Sequence, residues 1–155
     1  MENKELQRAK DRAMYYLGLR DHAAGELYDK LCHKFPAKTA AEAVAEMQRL
    51  GLCNDEAFAS HRAQYLQNQH KSTREIRQHL RMKGVDKDII DAVLAESEVP
   101  DTDACYALAS RKYAAKLAAG EVQKVTAALA RRGFGYSDIK NALNRLGAEV
   151  AQIEE

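Results

Sequence analysis

The stretch Leu27-Tyr28-Asp29-Lys30-Leu31 recurs in outline 49 residues later as Ile76-Arg77-Gln78-His79-Leu80 and, after another 49 residues, as Val125-Thr126-Ala127-Ala128-Leu129. Each copy begins with an apolar residue and ends with leucine four positions on. An apolar pair at this spacing lies on one face of a helix. The constant period indicates three copies of one supersecondary unit, none of which buries its apolar face alone.

The sequence on either side of these segments predicts three helices in each copy. We predict helices over 6–20, 23–35, 39–50, 55–69, 72–83, 86–97, 102–117, 120–132 and 137–146. The corresponding repeats span 1–53, 54–99 and 100–155. The chain has only two prolines, and alanine, the best helix former, is its commonest residue. The sequence therefore predicts an all-α fold of three tandem three-helix repeats in an elongated, curved array.

Polar caps and glycines agree with this division. The segments 72–75 and 39–42 read as capping boxes, while Asp86 and Ser137 are suitable N-caps. Ala23 occupies the register position of the box serine, so repeat one lacks that cap, at a cost of about 1 kcal/mol. A glycine follows one predicted helix in each repeat, where a left-handed residue ends a helix most easily: Gly51, Gly84 and Gly133.

Composition and motifs argue against several classes of protein. The cysteines Cys32, Cys53 and Cys105 are odd in number and form no C-x-x-C pair, so neither a disulfide framework nor a zinc site is expected. Phosphate-binding glycine loops and nucleophile elbows are missing, which argues against an enzyme and against a cofactor. No apolar run reaches membrane-spanning length. We expect a cytoplasmic monomer that is neither an enzyme nor a membrane protein.

The net charge is only +1, but the charges are segregated along the chain. Basic residues dominate 62–84 and 111–132, and acidic residues dominate 86–103. Basic surfaces attract phosphates or acidic partners. We take ten basic residues as candidate partner-binding or nucleic-acid-binding residues: Arg62, Lys71, Arg74, Arg77, Arg81, Lys83, Arg111, Lys112, Arg131 and Arg132.

Three of these arginines recur along one predicted helix. Arg74, Arg77 and Arg81 fall at the spacing of a single stripe, whereas Ile76 and Leu80 point roughly the other way. Two interpretations stay open. The stripe is either an ordinary solvated face or a contact surface for phosphates or an acidic protein.

Tyrosines recur on the first helix of each repeat. Exposed aromatics beside basic residues can stack on single-stranded bases. At helical spacing among leucines, however, they more often pack in a core or between repeats, and we predict packing. The residues concerned are Tyr15, Tyr16, Tyr65, Tyr106 and Tyr113.

Three longer strings, taken in order, resemble the RecX regulatory protein family. They are 19–31, with Leu19-Arg20-Asp21-His22 followed by Glu26-Leu27 and Leu31, then 51–59 and 74–85. The likeness covers nearly the whole chain, and no single motif carries it. Positions that match the family's usual residues are Arg20, His22, Gly51, Asp55, Phe58, Ala59, Lys83 and Gly84.

The resemblance implies a partner and a function. RecX-like proteins bind the bacterial recombinase RecA, lodge in the groove of its filament on single-stranded DNA, and restrain ATP hydrolysis, strand exchange and SOS co-protease activity. It therefore implies a role in DNA repair and recombination. It leaves open a weak direct contact with single-stranded or double-stranded DNA. Two alternatives are a helical-repeat nucleic-acid-binding protein without a recombinase partner and a scaffold for another protein. The near-neutral charge argues against the nucleic-acid-binding alternative.

Overall fold

The computed structural model describes residues 2–96 and 99–154, with side chains for 4–96 and 99–147. Within these ranges the regular structure is entirely helical, which confirms the predicted all-α fold of tandem three-helix repeats. The helices are α1 Glu2–Leu19, α2 Ala24–Cys32, α3 Ala37–Arg49, α4 Asp55–Asn68, α5 Thr73–Met82, α6 Lys87–Ala95, α7 Asp101–Lys112, α8 Ala114–Ala118, α9 Val122–Arg131 and α10 Tyr136–Glu154. No helix in the described part of the chain is long and apolar enough to cross a membrane.

Most predicted helices agree with the observed ones to within four residues at each end, but two differ by more. The helix expected over 102–117 is interrupted at Tyr113, whose φ of −114° and ψ of 11° are not helical. The side chain of Tyr113 is buried, so packing of its ring accompanies the break between α7 and α8. The last helix, expected to end at 146, continues to Glu154. No proline interrupts 147–154, and most of those residues favour helix.

Of the predicted caps, only some are correct. Ser72 Oγ accepts a hydrogen bond from the Glu75 N–H at 3.1 Å, as a capping residue should. The box at 39–42 is wrong, because α3 already begins after Pro36 and the Thr39 hydroxyl lies inside the helix. Ser137 is also inside its helix, because α10 begins at Tyr136. The three predicted glycine stops are confirmed by positive φ angles of 76°, 86° and 95° at Gly51, Gly84 and Gly133.

The chain forms two compact units. Unit 1 comprises Met1–Arg62 and His79–Val93, and unit 2 comprises Ala63–Gln78 and Leu94–Glu155. The apolar pairs of the repeated segment are buried throughout. Within the units they occupy these core positions: Leu27, Leu31 and Leu80 in unit 1, and Ile76, Val125 and Leu129 in unit 2.

Candidate binding surface at the helix junctions

In unit 1, the first turn of α2 meets the turn that follows α5. The two backbones approach closely because both positions are glycine. A Cβ atom built on Gly84 would lie 2.9 Å from the Cα of Gly25, a distance that real side chains do not tolerate. Gly84 also has a φ of 86°, which disfavours every residue with a Cβ. This junction therefore requires glycine at position 84 for two independent reasons.

A three-residue ion-pair cluster lies beside these glycines. The Glu26 carboxylate accepts hydrogen bonds from Arg20 Nη1 at 3.0 Å, from Arg20 Nη2 at 2.7 Å and from Lys83 Nζ at 2.8 Å. Burial by itself raises the pKa of Glu26, but the hydrogen bonds from Arg20 and Lys83 outweigh burial and lower the pKa to about 2. Lys83, one of the ten candidate binding residues, is thus engaged within unit 1.

His22 lies in the segment between α1 and α2, and its side chain is buried. Its Nδ1 lies 2.9 Å from the Arg20 carbonyl oxygen, and its Nε2 lies 3.0 Å from Lys30 Nζ. An ammonium group can only donate, so Nε2 accepts and the ring proton resides on Nδ1. Burial lowers the pKa of His22, which favours this neutral form. His22 therefore has a structural role.

The cap missing from repeat one is supplied from elsewhere in the fold. Ala23 makes no capping hydrogen bond, but the Ala24 N–H donates to Asp55 Oδ1 at 2.7 Å. In unit 2, Asp101 serves the equivalent helix, because Oδ1 accepts from both the N–H and the hydroxyl of Thr73, at 2.9 and 2.7 Å. In both cases the aspartate is the first residue of the second helix after the one that it caps. The expected loss of a cap in repeat one is therefore offset.

In unit 2, the first turn of α5 meets the turn that follows α9. Besides capping α5, Ser72 donates its hydroxyl to the Arg132 carbonyl oxygen at 2.7 Å. Gly133 has a φ of 95°, and a Cβ there would lie 2.8 Å from Ser72 Oγ. Since Ser72 and Gly133 stand 49 residues after Ala23 and Gly84, this junction and that of unit 1 are built from register-equivalent positions.

A polar hollow of about 320 Å³ opens at the unit 2 junction. Arg74 and Arg131 are exposed there, whereas Arg132 is half-buried and donates from Nε to the Tyr113 hydroxyl at 3.3 Å. Glu75 Oε2 is buried without a hydrogen-bond partner among the described groups. The hollow is lined by Arg74, Glu75, Gln78, Ala130, Arg131, Arg132 and Gly133. The fold thus brings together candidate arginines from both basic segments of the sequence.

The remaining candidate residues are not gathered there. Arg62 lies over the Phe58 ring, 5.7 Å from its centroid, and Arg111 Nη1 lies 3.2 Å from His70 Nε2. On α5, Arg81 is exposed like Arg74, but Arg77 is half-buried, so the arginine stripe is uneven. Of the last two candidates, Lys71 is half-buried and Lys112 is exposed.

The packing predicted for the tyrosines holds for some of them only. Tyr113 is buried, and Tyr16 and Tyr106 are half-buried, but Tyr15 is 57% exposed and Tyr65 is 53% exposed. Sequence reasoning also missed the basic residues around Tyr15. Arg8 and Arg12 precede Tyr15 by seven and three positions, and this helical spacing was the available signal.

These features define a class of helical protein. In this class, three-helix repeats contact each other through the turns at the ends of their middle helices. Two family models match the chain: that of the RecX first three-helix domain over residues 9–47 and that of the RecX second three-helix domain over residues 54–94. Both matched segments fall in the first two predicted repeats.

Relatives named regulatory protein RecX agree with these matches. The one from Legionella pneumophila (strain Corby) is 34% identical over 134 residues, covering 83% of this chain and 88% of that relative. The one from Myxococcus xanthus is 36% identical over 112 residues, 65% of this chain, but the match spans only 58% of that relative's length. The chain therefore belongs to the RecX family of regulatory proteins.

A solved structure shows the same fold. The crystal structure of RecX from Lactobacillus salivarius superimposes with a TM-score of 0.80, at 21% sequence identity, over 94% of this chain and 99% of that one.

Proposed function

We propose that this protein binds the recombinase RecA and RecA filaments on single-stranded DNA, and that it inhibits or remodels those filaments without catalysing a reaction of its own. Family membership supports the choice of partner. The proposed binding surface is the hollow of unit 2. The observation that supports it is that exposed Arg74 and Arg131, from two different helices, both line this hollow.

The chemistry of the hollow suits such a target. Arginine offers a planar fork of N–H donors that matches carboxylate and phosphate oxygens. A filament on DNA presents both groups, repeated from subunit to subunit. Contacts of modest strength add when a chain of repeats engages several of them at once. The basic segments would also speed encounter with the filament at low salt.

The first prediction concerns the activity of the filament. Sub-stoichiometric amounts of this protein should slow the DNA-dependent ATPase of RecA on single-stranded DNA, because one bound molecule contacts more than one recombinase subunit. The measurement is steady-state ATP hydrolysis by a cognate RecA at low salt, with increasing protein. Hydrolysis that is unchanged at equimolar protein would contradict the proposal.

The second prediction concerns the arginines. Arg74→Gln combined with Arg131→Gln should weaken binding to RecA–DNA filaments and make its salt dependence shallower. Each lost phosphate contact on a single strand removes about 0.7 from the log–log slope, hence about 1.4 for the pair. Folding should be nearly intact, because exposed substitutions usually change stability by no more than about 0.5 kcal/mol each. Binding is measured by salt titration of filament association.

A matched control removes two exposed charges elsewhere, Lys87→Gln with Lys140→Gln. This variant should bind nearly as the wild type does. A second comparison is the stripe variant in which Arg74, Arg77 and Arg81 are all changed to alanine. If the variant of Arg74 and Arg131 binds as tightly as the wild type at every salt concentration, the hollow is only a solvated surface.

A further inference from the structure

Unit 2 also has a groove between α9 and α10, which the proposed function does not use. Its volume is about 480 Å³. One charged side chain, that of Lys140, lines this groove, and three of its other residues are neutral and polar. The rest of its lining is apolar: Val122, Ala127, Ala130, Tyr136, Ile139 and Leu143. Such a lining differs from that of the hollow at the unit 2 junction, which contains three arginines.

The groove has a buried floor and an exposed rim. Ile139 is buried in the unit 2 core, and Leu143 packs against the same core. At the rim, Val122 is 49% exposed and Tyr136 is 74% exposed, and Ala127 is exposed as well. Core packing therefore fixes the shape of the floor, while apolar side chains at the rim are left in contact with water.

The register relates this face of α9 to a face of α5 that another part of the fold covers. Gln123 and Ala127 stand 49 residues after Arg74 and Gln78. On α5, Arg74 and Gln78 face the end of α9 across the junction hollow. On α9, the equivalent positions line the open groove. The repeat thus reuses one helix face, which is covered in α5 and exposed in α9.

The first turn of α9 also lacks the partner that the other two middle helices have. The Ala24 N–H of α2 donates to Asp55, and the Thr73 N–H of α5 donates to Asp101, in each case the first residue of a later helix. Glu121, the N-cap residue of α9, makes no side-chain capping hydrogen bond. Within the described residues, no aspartate takes the place of Asp55 or Asp101 at α9. An uncapped helix start leaves backbone N–H donors for a partner to satisfy.

We propose that this groove, together with the first turn of α9, is a docking site for a helix of the recombinase. The identity of the partner rests on the proposed function. The helix that fits begins with aspartate or glutamate, which would accept a hydrogen bond from α9 as Asp101 does from α5. Its apolar side chains would fill the groove, as amphipathic helices do in other apolar grooves. A lining with a single cation suits an apolar protein surface better than a phosphate backbone, which basic residues bind.

The test measures the affinity of the labelled full chain for RecA filaments on single-stranded DNA by anisotropy. Val122→Ser combined with Tyr136→Ser should weaken binding by about tenfold or more, the effect of losing apolar anchors of an interface. Because no charge is removed, the salt dependence should keep the slope of the wild type, unlike that of the Arg74 and Arg131 variant. Both side chains are largely exposed, so circular dichroism should show intact helices.

A second variant separates a protein helix from a phosphate-bearing ligand. Ala127→Arg places a long cationic side chain in the groove from an exposed position. It should block a docked helix and weaken filament binding, whereas it would strengthen binding of phosphates. The matched control is Leu52→Ser with Tyr65→Ser, which removes two apolar side chains that are 49% and 53% exposed elsewhere. This control should bind filaments nearly as the wild type does.

The outcomes distinguish this inference from the proposed function. If the wild type binds filaments and either groove variant binds as tightly, the docking site is overturned and the proposed function stands. Tighter binding by Ala127→Arg also overturns the docking site. Sedimentation equilibrium tests a second copy as the occupant: self-association of the wild type that Ala127→Arg abolishes would overturn the assignment to the recombinase. Failure of the wild type to bind filaments would overturn both proposals.

Discussion

Gly84→Ala is expected to destabilise the protein by about 3 kcal/mol, one of the two largest losses that we predict for a single substitution. The left-handed backbone at Gly84 costs a residue with a Cβ roughly 1–2 kcal/mol. The added methyl group would also meet the Gly25 backbone at 2.9 Å, and overpacking of this kind typically costs about 1–3 kcal/mol more. Urea denaturation followed by the helical circular dichroism signal measures the change.

Other glycines of the same chain separate the two contributions. Gly51 has a similar φ of 76°, but nothing lies within 4 Å of the position that a Cβ would take there, so Gly51→Ala should cost only the backbone strain. Gly25→Ala should cost only the clash, because its Cβ would lie 3.0 Å from the Gly84 Cα and no left-handed angle is involved. Equal losses of unfolding free energy for Gly84→Ala and Gly51→Ala would contradict this reasoning. They would show that the close approach of the Gly84 and Gly25 backbones adds nothing to the cost of a Cβ atom.

Glu26→Gln is expected to lower the free energy of unfolding by about 2 kcal/mol near neutral pH. The substitution leaves Arg20 and Lys83 without the carboxylate between them, and their own exposure of 39% and 31% keeps the loss below that of a fully buried pair. The Glu26 side chain, by contrast, is only 10% exposed. Chemical denaturation of the wild type and the variant at several pH values gives the difference.

The loss should depend on pH in a defined direction. The folded-state pKa of Glu26, about 2, lies below the ordinary value of 4.5. Its ion pairs therefore contribute fully above about pH 4.5, and this contribution decreases as the pH falls toward about 2. The difference between wild type and Glu26→Gln should shrink over the same interval. A difference that stays constant from pH 7 to pH 3 would contradict the role assigned to the charge.

Glu46 provides the matched control. Like Glu26, it accepts two hydrogen bonds from an arginine, in this case Arg49 three residues on along α3. Its pair lies at the surface, where solvent and salt screen the charges and an isolated ion pair contributes little. Glu46→Gln should leave the denaturation midpoint close to that of the wild type. A loss as large as that of Glu26→Gln would mean that the junction adds nothing to the ion pair.

The two junctions show how far a repeat can be read from sequence. Ala23 occupies the position in repeat one that Ser72 occupies in repeat two. The missing serine predicts a less stable repeat one. Asp55 offsets it by capping Ala24 from another helix. Asp55 is evident in the sequence, but its hydrogen-bond partner is not, because the two residues meet only when the fold brings the first residues of α4 and α2 together. The local sequence around Tyr113 likewise does not predict the helix break between α7 and α8. That break accompanies burial of the Tyr113 side chain.

The properties that follow from the sequence are those that depend on residues near one another along the chain. The 49-residue register, the helix-favouring composition and the glycine stops predict tandem three-helix repeats, because helices are specified by contacts within a few positions along the chain. Which charged side chains lie together depends instead on how the helices pack. Arg74 and Arg131 are 57 positions apart and share a hollow because the first turn of α5 meets the end of α9. Tyr15 is exposed beside Arg12 because the core is filled by Ala9 and Ala13, and which face of a helix a core covers is settled by packing.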